Sequence, residues 1–325
     1  MMNYKEKLNN KNILVTGGAG FIGSNLCEEL LNLGANVTCL DNFSTGLREN
    51  LEAIKNNPNF TLIEGDIRNL EDCKKACENQ DFVLHEAALG SVPRSINDPI
   101  TSNDVNVGGF LNMLVAAREA NVKRFVYAAS SSTYGDSESL PKIEDKIGKP
   151  LSPYAITKYV NELYADVFKR TYDFDTIGLR YFNVFGRKQN PNGAYAAVIP
   201  KFVMQLMNHE SPVINGGGEY SRDFTYIDNV ILKNLLALPA QNPQSIHQVH
   251  HTASGERTPP RDQYLSDFDP KIADVEVIYG DYRKGDVPHS LASIDKAKNL
   301  LEYQPKHSMK EGLKEAVTWY WNNLK

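Results

Sequence analysis

The chain has 325 residues, 41% of them apolar and 23% charged, and a net charge of −5. That length can bury a sizeable core, and the balance is that of an ordinary globular protein, not a disordered or fibrous one. The negative charge argues against nucleic acid as the main partner, no apolar run reaches membrane-spanning length, and Met1 to Lys7 lacks the apolar core of a signal peptide. Cys27, Cys39, Cys73 and Cys77 are too few and too scattered for a disulfide framework, so reduced thiols in a cytoplasmic protein are expected. Cys73 and Cys77 share a helix face, but no His or Cys cluster accompanies them, and no metal site is expected.

In chain order, Asn12–Thr16 reads as a strand, followed by the turn Thr16-Gly17-Gly18-Ala19-Gly20-Phe21-Ile22-Gly23 and a helix over Ile22–Leu33. Strands follow at Ala35–Asp41, Phe60–Asp66, Asp81–His85, Lys123–Ala128 and Asp175–Arg180. Helical patterns fall between them at Leu70–Glu78, Asp104–Ala120 and Tyr154–Arg170. Most of the strands are nearly continuous apolar runs, as strands buried on both faces must be. Their alternation with helices predicts an α/β fold, a doubly wound parallel sheet.

The second half changes character. Gly186, Pro191-Asn192-Gly193, Gly216-Gly217-Gly218, Pro259-Pro260 and Gly285 punctuate shorter elements, which predicts a smaller C-terminal α/β lobe over the open end of the sheet. Ser308 and Glu311 form a capping box, with Leu313, Val317, Tyr320 and Trp321 at helical spacing behind it. With no linker between them the lobes are expected to interleave. Residues 1–181 form a dinucleotide-binding domain to which 222–251 returns, and 182–221 with 252–325 form the substrate lobe.

Gly17, Gly20 and Gly23 lie between a strand and a helix, where a pyrophosphate needs close backbone approach and free helix N–H groups. Asp41 ends the second strand at the offset where a carboxylate grips the adenosine ribose. It would repel a 2′-phosphate, and Asn42 and Phe43 supply no arginine, so NAD is expected over NADP; Arg48 is the one nearby residue able to accept a phosphate. Asp66 either accepts from the adenine amino group or caps the following helix.

Tyr154 and Lys158 lie four apart on one helix face, just after Pro153. An ammonium beside a phenol stabilises the phenolate, so Lys158 is expected to lower the Tyr154 pKa and make it a base toward an alcohol. Ala128-Ala129-Ser130-Ser131-Ser132-Thr133-Tyr134-Gly135 ends the fifth strand at the same crevice, where a hydroxyl either holds a substrate oxygen or merely forms a turn. His250-His251 has no acidic partner in sequence and reads as structural.

These segments, with His85-Glu86-Ala87-Ala88, Leu179-Arg180-Tyr181-Phe182-Asn183-Val184-Phe185-Gly186, Arg222-Asp223-Phe224 and Arg283-Lys284-Gly285-Asp286, cover nearly the whole chain. Together they resemble the extended short-chain dehydrogenases/reductases of the nucleotide-sugar epimerase and dehydratase group. More narrowly, Gly90-Ser91-Val92-Pro93-Arg94-Ser95 and Ser152-Pro153-Tyr154-Ala155 resemble bacterial UDP-N-acetylglucosamine 4-epimerases of surface-polysaccharide pathways. The resemblance implies a Rossmann domain and a homodimer pairing the helices Asp104–Ala120 and Tyr154–Arg170. It implies catalysis by Tyr154, Lys158, Ser130 and Ser131.

It further implies NAD contacts from Gly17, Gly20, Phe21, Ile22, Gly23, Asp41, Asn42, Ser44, Thr45, Gly46, Asp66, Ile67, Ala87, Ala88, Asn106, Tyr154, Lys158, Tyr181 and Phe182. UDP-sugar contacts are implied for Gly90, Ser91, Arg94, Ser131, Ser132, Asn183, Gln189, Val198, Asn215, Arg222, Arg283, Asp286 and Ser290. Arg222 and Arg283 match diphosphate clamps, Asp286 a uridine ribose contact, and Ser290 a size gate beside the sugar's second carbon; outside the family pattern both arginines would read as surface charges.

Ser131 and Ser132 stand where sugar dehydratases carry acids. Neutral hydroxyls supply elimination chemistry poorly, so epimerisation is implied instead. The expected reaction interconverts UDP-N-acetylglucosamine and UDP-N-acetylgalactosamine, with UDP-glucose and UDP-galactose as a second pair. A UDP-glucuronate 4-epimerase or decarboxylase is the alternative, with Arg94 as its candidate carboxylate contact. Pro259–Pro270 departs from the family, which carries a long amphipathic helix there.

Overall fold

The computed structural model describes residues 3–192, 197–215, 220–255, 268–281 and 289–324. Helix α1 (Tyr4–Leu8) leads into β1 (Asn12–Thr16), α2 (Phe21–Asn32), β2 (Asn36–Asp41), β3 (Phe60–Glu64), α3 (Leu70–Cys77) and β4 (Phe82–His85). Short helices α4 (Val92–Asn97) and α5 (Pro99–Asn103) precede α6 (Phe110–Glu119), β5 (Arg124–Ser130), α7 (Pro153–Tyr172) and β6 (Thr176–Tyr181). The rest comprises β7 (Val184–Phe185), α8 (Val198–Met207), β8 (Val213–Asn215), β9 (Thr225–Tyr226), α9 (Ile227–Ala237), β10 (Val249–Thr252), β11 (Ile278–Gly280), α10 (Asp295–Leu301) and α11 (Met309–Asn323).

Seven strands form one sheet in the order β10-β6-β5-β4-β1-β2-β3, and every neighbouring pair is parallel. The chain winds outward in both directions from the β1–β4 pair, where Thr16 lies level with His85. Loops leaving β1 and β4 therefore diverge, and a crevice opens at the carboxyl ends of the strands. One face of the sheet is buried by α2 and α9 through residues such as Leu26, Leu30, Ile227 and Val230, and Val317 of α11 extends the same core. The other is buried by α3, α6 and α7 through Cys73, Phe110, Met113 and Phe168. Strand β10 comes from beyond residue 222 and pairs with β6. His250 and His251 on it are both fully buried.

Two local features differ from expectation. The helix expected over Asp104–Ala120 begins as a π-helical stretch, Asp104–Gly109, and becomes α-helical from Phe110. Gly108 and Gly109 hold an α-turn weakly, and a Cβ on Gly109 would lie 2.6 Å from the Ile67 side chain, so the backbone runs close to the loop after β3. The cap of α3 is Asn69, which accepts from the Glu71 amide, and not Asp66. The capping box of α11 forms as expected, Ser308 and Glu311 each accepting from the other's amide. The atypical segment lies mostly outside the described residues; from Pro270 the chain makes a 3-10 turn to Asp274.

Candidate active site

A cavity of about 630 Å³ runs along the carboxyl ends of β1, β2, β4, β5 and β6. At its centre lies the glycine turn. Gly17 has φ +68°, and a Cβ there would come within 2.8 Å of the Ala87 backbone; a Cβ on Gly23 would collide with the Gly17 carbonyl. Both positions require glycine. Helix α2 starts at Gly20 with no side-chain cap, and Phe21, Ile22 and Gly23 line the cavity, so the amides of its first turn point where a diphosphate would sit. This cradle fits NAD.

Two carboxylates mark one end. Asp41, only 8% exposed, accepts from the amides of Ala19 at 2.9 Å and Phe43 at 2.8 Å, which ties the glycine turn to the end of β2. Burial raises its pKa and those two bonds oppose the rise. Asp66 is held down at about 2, first by hydrogen bonds from Arg68 and then also by Asn42. Arg48, the candidate phosphate acceptor, makes a two-pronged pair with Glu64 at 2.9 and 2.8 Å and lies 4.0 Å over the Phe43 ring. It is committed elsewhere, which favours NAD over its 2′-phosphorylated form.

The other end holds the titratable groups. Ser152 caps α7 by accepting from the Ala155 amide, and Pro153 occupies the first turn, so Tyr154 starts the helix with its amide donating to Ser95 Oγ at 3.0 Å. One turn on, Lys158 is 3% exposed and donates to the Ala128 carbonyl at 2.9 Å. Burial pushes its pKa down to about 8, against the pull of Glu86. Ser130 Oγ, at the end of β5, accepts from the Ser132 amide at 3.1 Å and hydroxyl at 2.9 Å. The expected effect of Lys158 on Tyr154 is not what the protein shows. Burial raises the phenol, the Ser130 hydroxyl lowers it, and the Lys158 ammonium is turned to a backbone carbonyl.

Of the residues expected at the site, Gly17, Gly20, Phe21, Ile22, Gly23, Asp41, Asn42, Ser44, Thr45, Asp66, Ile67, Ala87, Ala88, Gly90, Ser91, Arg94, Ser130, Ser131, Tyr154, Lys158, Tyr181, Asn183 and Gln189 line this one cavity. Others stand behind it. Gly46 packs against Ala19 and Asp41, the fully buried Phe182 meets Tyr134 at a tilt and His251 edge to face, and Ser132 backs Ser130. Asn106 is 2% exposed and bridges Leu89 to Thr157, holding the Gly90-Ser91 loop to α7 without reaching the cavity.

Val198 opens α8 and Asn215 ends β8, both away from the lining; Arg222 spans Tyr220 at 5.4 Å. Arg283 and Asp286 lie outside the described residues. Ser290 Oγ takes hydrogen bonds from the Asp223 amide and Asn183 Nδ2, each at 3.4 Å, so Ser290 and Asn183 are in contact.

Three residues escaped the sequence reading. Lys188 lines the cavity while paired to Glu28 at 2.5 Å. Asp223 is fully buried and accepts from Ser254, Gly255 and Ala292, joining segments far apart in the chain; burial raises it to about 6. Glu86 puts a carboxyl into the cavity beside Lys158, and burial raises it to about 7. In the sequence Glu86 appears only as part of the His85-Glu86-Ala87-Ala88 segment at the end of β4, with no role attached to it.

A family model described as "NAD dependent epimerase/dehydratase family" matches residues 13–249. A putative UDP-glucose 4-epimerase of Methanocaldococcus jannaschii is 35% identical over 96% of this chain and 99% of its own length. The solved UDP-N-acetylglucosamine 4-epimerase of Methanobrevibacter ruminantium, in complex with UDP-N-acetylmuramic acid, superposes with a TM-score of 0.90 at 38% identity, covering 97% of this chain and 99% of that one. A mutant UDP-glucuronic acid 4-epimerase of Bacillus cereus, solved with UDP-4-deoxy-4-fluoro-glucuronic acid and NAD, gives 0.86 at 30% identity over 96% and 99%. With the seven-stranded sheet, the glycine cradle and the Tyr154–Lys158 pair in one cavity, these likenesses establish that the chain belongs to the NAD-dependent epimerase/dehydratase family.

Proposed function

We propose that the protein is a UDP-sugar 4-epimerase and that its principal substrates are UDP-N-acetylglucosamine and UDP-N-acetylgalactosamine, with UDP-glucose and UDP-galactose as a second pair. The observation that carries the reaction is the convergence of Tyr154, Ser130 and Lys158 on one end of the cavity whose other end suits adenosine. Bound NAD supplies reversible oxidation at sugar carbon 4. Tyr154 takes the proton of the sugar 4-hydroxyl, relayed or positioned by Ser130, and returns it after the sugar has turned over. Lys158 keeps a positive charge next to this exchange at neutral pH, since its pKa of about 8 leaves it mostly protonated. By resemblance, Arg222 and Arg283 anchor the diphosphate while the sugar rotates and hold the oxidised sugar away from water.

Substrate choice rests on Ser290. Its small side chain beside Asn183 leaves room for an N-acetyl group at the sugar's second carbon. Arg94 in the cavity lining supports the UDP-glucuronate reading, because a guanidinium there suits a sugar carboxylate. NMR product analysis of the purified protein with each UDP-sugar and no added NAD separates the two. Sugar carrying deuterium at carbon 4 must keep the label through turnover; its loss to solvent defeats the oxidation–reduction cycle.

A homodimer is the assembly this reading implies. Ile156, Leu163 and Val167 form an exposed apolar stripe on α7, next to exposed Ile96 and Ile100 on α4 and α5.

A further inference from the structure

Glu86 follows β4, and its carboxyl is the end point of a directed hydrogen-bond chain. Asn234, fully buried on α9, gives one N–H to the Val230 carbonyl at 2.9 Å and the other to the Tyr181 hydroxyl oxygen at 2.8 Å. Tyr181 has a single proton to give, and Glu86 Oε1 accepts it at 2.8 Å. The chain therefore runs from the core toward the cavity and terminates on the Glu86 carboxyl, where the Tyr181 bond favours the ionised form against the burial that raises its pKa to about 7. Among the described residues no donor reaches Oε2.

The groups around this carboxyl are few. Lys158 acts on it from α7 and Tyr181 from β6, while Tyr154 and Ser130 line the same cavity. His85 on β4 is turned away, bonded to Thr16 at 2.9 Å and kept neutral by burial. The Lys158 ammonium is the nearby cation, and its hydrogen bond goes to Ala128, not to Glu86. Glu86 is thus a charge held in place without a direct ion-pair partner, at the end of the cavity where the proposed chemistry happens.

We propose that Glu86 is a charge-setting residue of the redox site, fixed by Tyr181 and Asn234 so that the cavity favours the oxidised, cationic nicotinamide over the reduced, neutral one. This rests on the reading that the Tyr154 end of the cavity receives the nicotinamide. A fixed negative charge stabilises a nearby cation and leaves a neutral ring unaffected; at the separations a shared cavity allows, the preference is worth about tenfold. The benefit belongs to an epimerase. An enzyme that must return what it has taken gains when its reduced state is the less stable one, because re-reduction of the sugar then outruns its escape.

The test is the ratio of dissociation constants for NADH and NAD, measured by titration on the full-length parent, E86Q and E86D at pH 8.5, where Glu86 is ionised. The ratio is expected to fall about tenfold in E86Q, chiefly through weaker NAD binding, and to hold within about twofold in E86D, which keeps the charge. An unchanged ratio in a normally melting E86Q overturns the proposal. If E86Q does not fold, the parent decides: its ratio must rise between pH 6 and pH 7.5 as Glu86 ionises, and a flat ratio overturns the idea. No sugar enters these measurements. A parent that shows the ratio effect but turns over no UDP-sugar would defeat the functional reading and leave this one standing.

Discussion

Replacing Glu162 by Gln should destabilise the protein through a partner that looks remote from the active site. Arg180 on β6 and Glu162 on α7 have side chains only 4% and 7% exposed, and they meet through two parallel bonds of 2.9 and 2.7 Å. The same guanidinium donates to the Tyr134 hydroxyl and the Glu144 carbonyl, each at 2.8 Å. Glu162 lies one helical turn beyond Lys158, so this pair fixes the helix that carries both Tyr154 and Lys158. With Gln at 162 one of the two bonds loses its acceptor, and a buried cation is left without its counter-charge. Removing one member of such a pair costs about 3–5 kcal/mol. At roughly 2.1 cal/mol/K per residue of unfolding entropy, that corresponds to a fall in Tm of about 4–7 °C for a chain of this length.

Differential scanning calorimetry on E162Q and on E162L/R180M measures it. The apolar double variant should recover only part of the loss, because the Glu144 carbonyl and the Tyr134 hydroxyl then lack the guanidinium they bonded. A fall below about 1 kcal/mol in E162Q would mean that water or local rearrangement satisfies Arg180, and the reasoning fails.

Tyr154→Phe should lower turnover by about 10²–10⁴-fold while leaving NAD binding intact, as single-turnover kinetics and nucleotide titration will show. Ser290→Tyr should suppress the N-acetylated pair at least about tenfold more than the glucose pair in competition assays; equal loss removes Ser290 as the gate. Stability should fall as pH rises through the Glu86 window: its native pKa of about 7 exceeds the ordinary value of 4.5, so the native state holds the proton more tightly than the unfolded one. That contribution is full below about pH 4.5 and gone above about pH 7, and urea midpoints of E86Q should be flatter across this range, by up to about 3 kcal/mol. Leu163→Asp places a charge in the exposed stripe of α7 and should convert a dimer to monomers in sedimentation, with no loss of melting temperature.

The parts of this protein that could be read from sequence are those fixed by neighbours along the chain. Strands of β-branched residues, the glycine turn and the i, i+4 pair of Tyr154 and Lys158 depend on local periodicity and steric freedom, and they lie where the pattern puts them. What stayed hidden depends on hydrogen bonds between distant segments. Asn106 suits a cofactor contact by position, yet Leu89 and Thr157, 17 and 51 residues away, claim its amide. Asp223 sits in a segment that resembles its relatives, but nothing local says that it gathers donors from residues 254, 255 and 292. The π-helical entry to α6 was invisible in the same way, since it lies where Gly109 comes close to Ile67, 42 residues earlier in the chain.

The two ends of the cavity are built on opposite principles, and that contrast ties its chemistry together. Around the β2 and β3 ends every charge is committed: Asp41 to two amides, Asp66 to Arg68 and Asn42, Arg48 to Glu64. Such a partnered set suits holding one end of a cofactor that must stay bound through each turnover. Around β4, β5 and α7 the groups are poised instead, with Lys158 at about 8 and Glu86 at about 7. Groups that ionise near neutrality are the ones able to move protons and balance a charge that comes and goes. Damage at the first end should therefore show as loss of bound nucleotide with an unshifted pH profile. Damage at the second should shift the profile while the nucleotide stays.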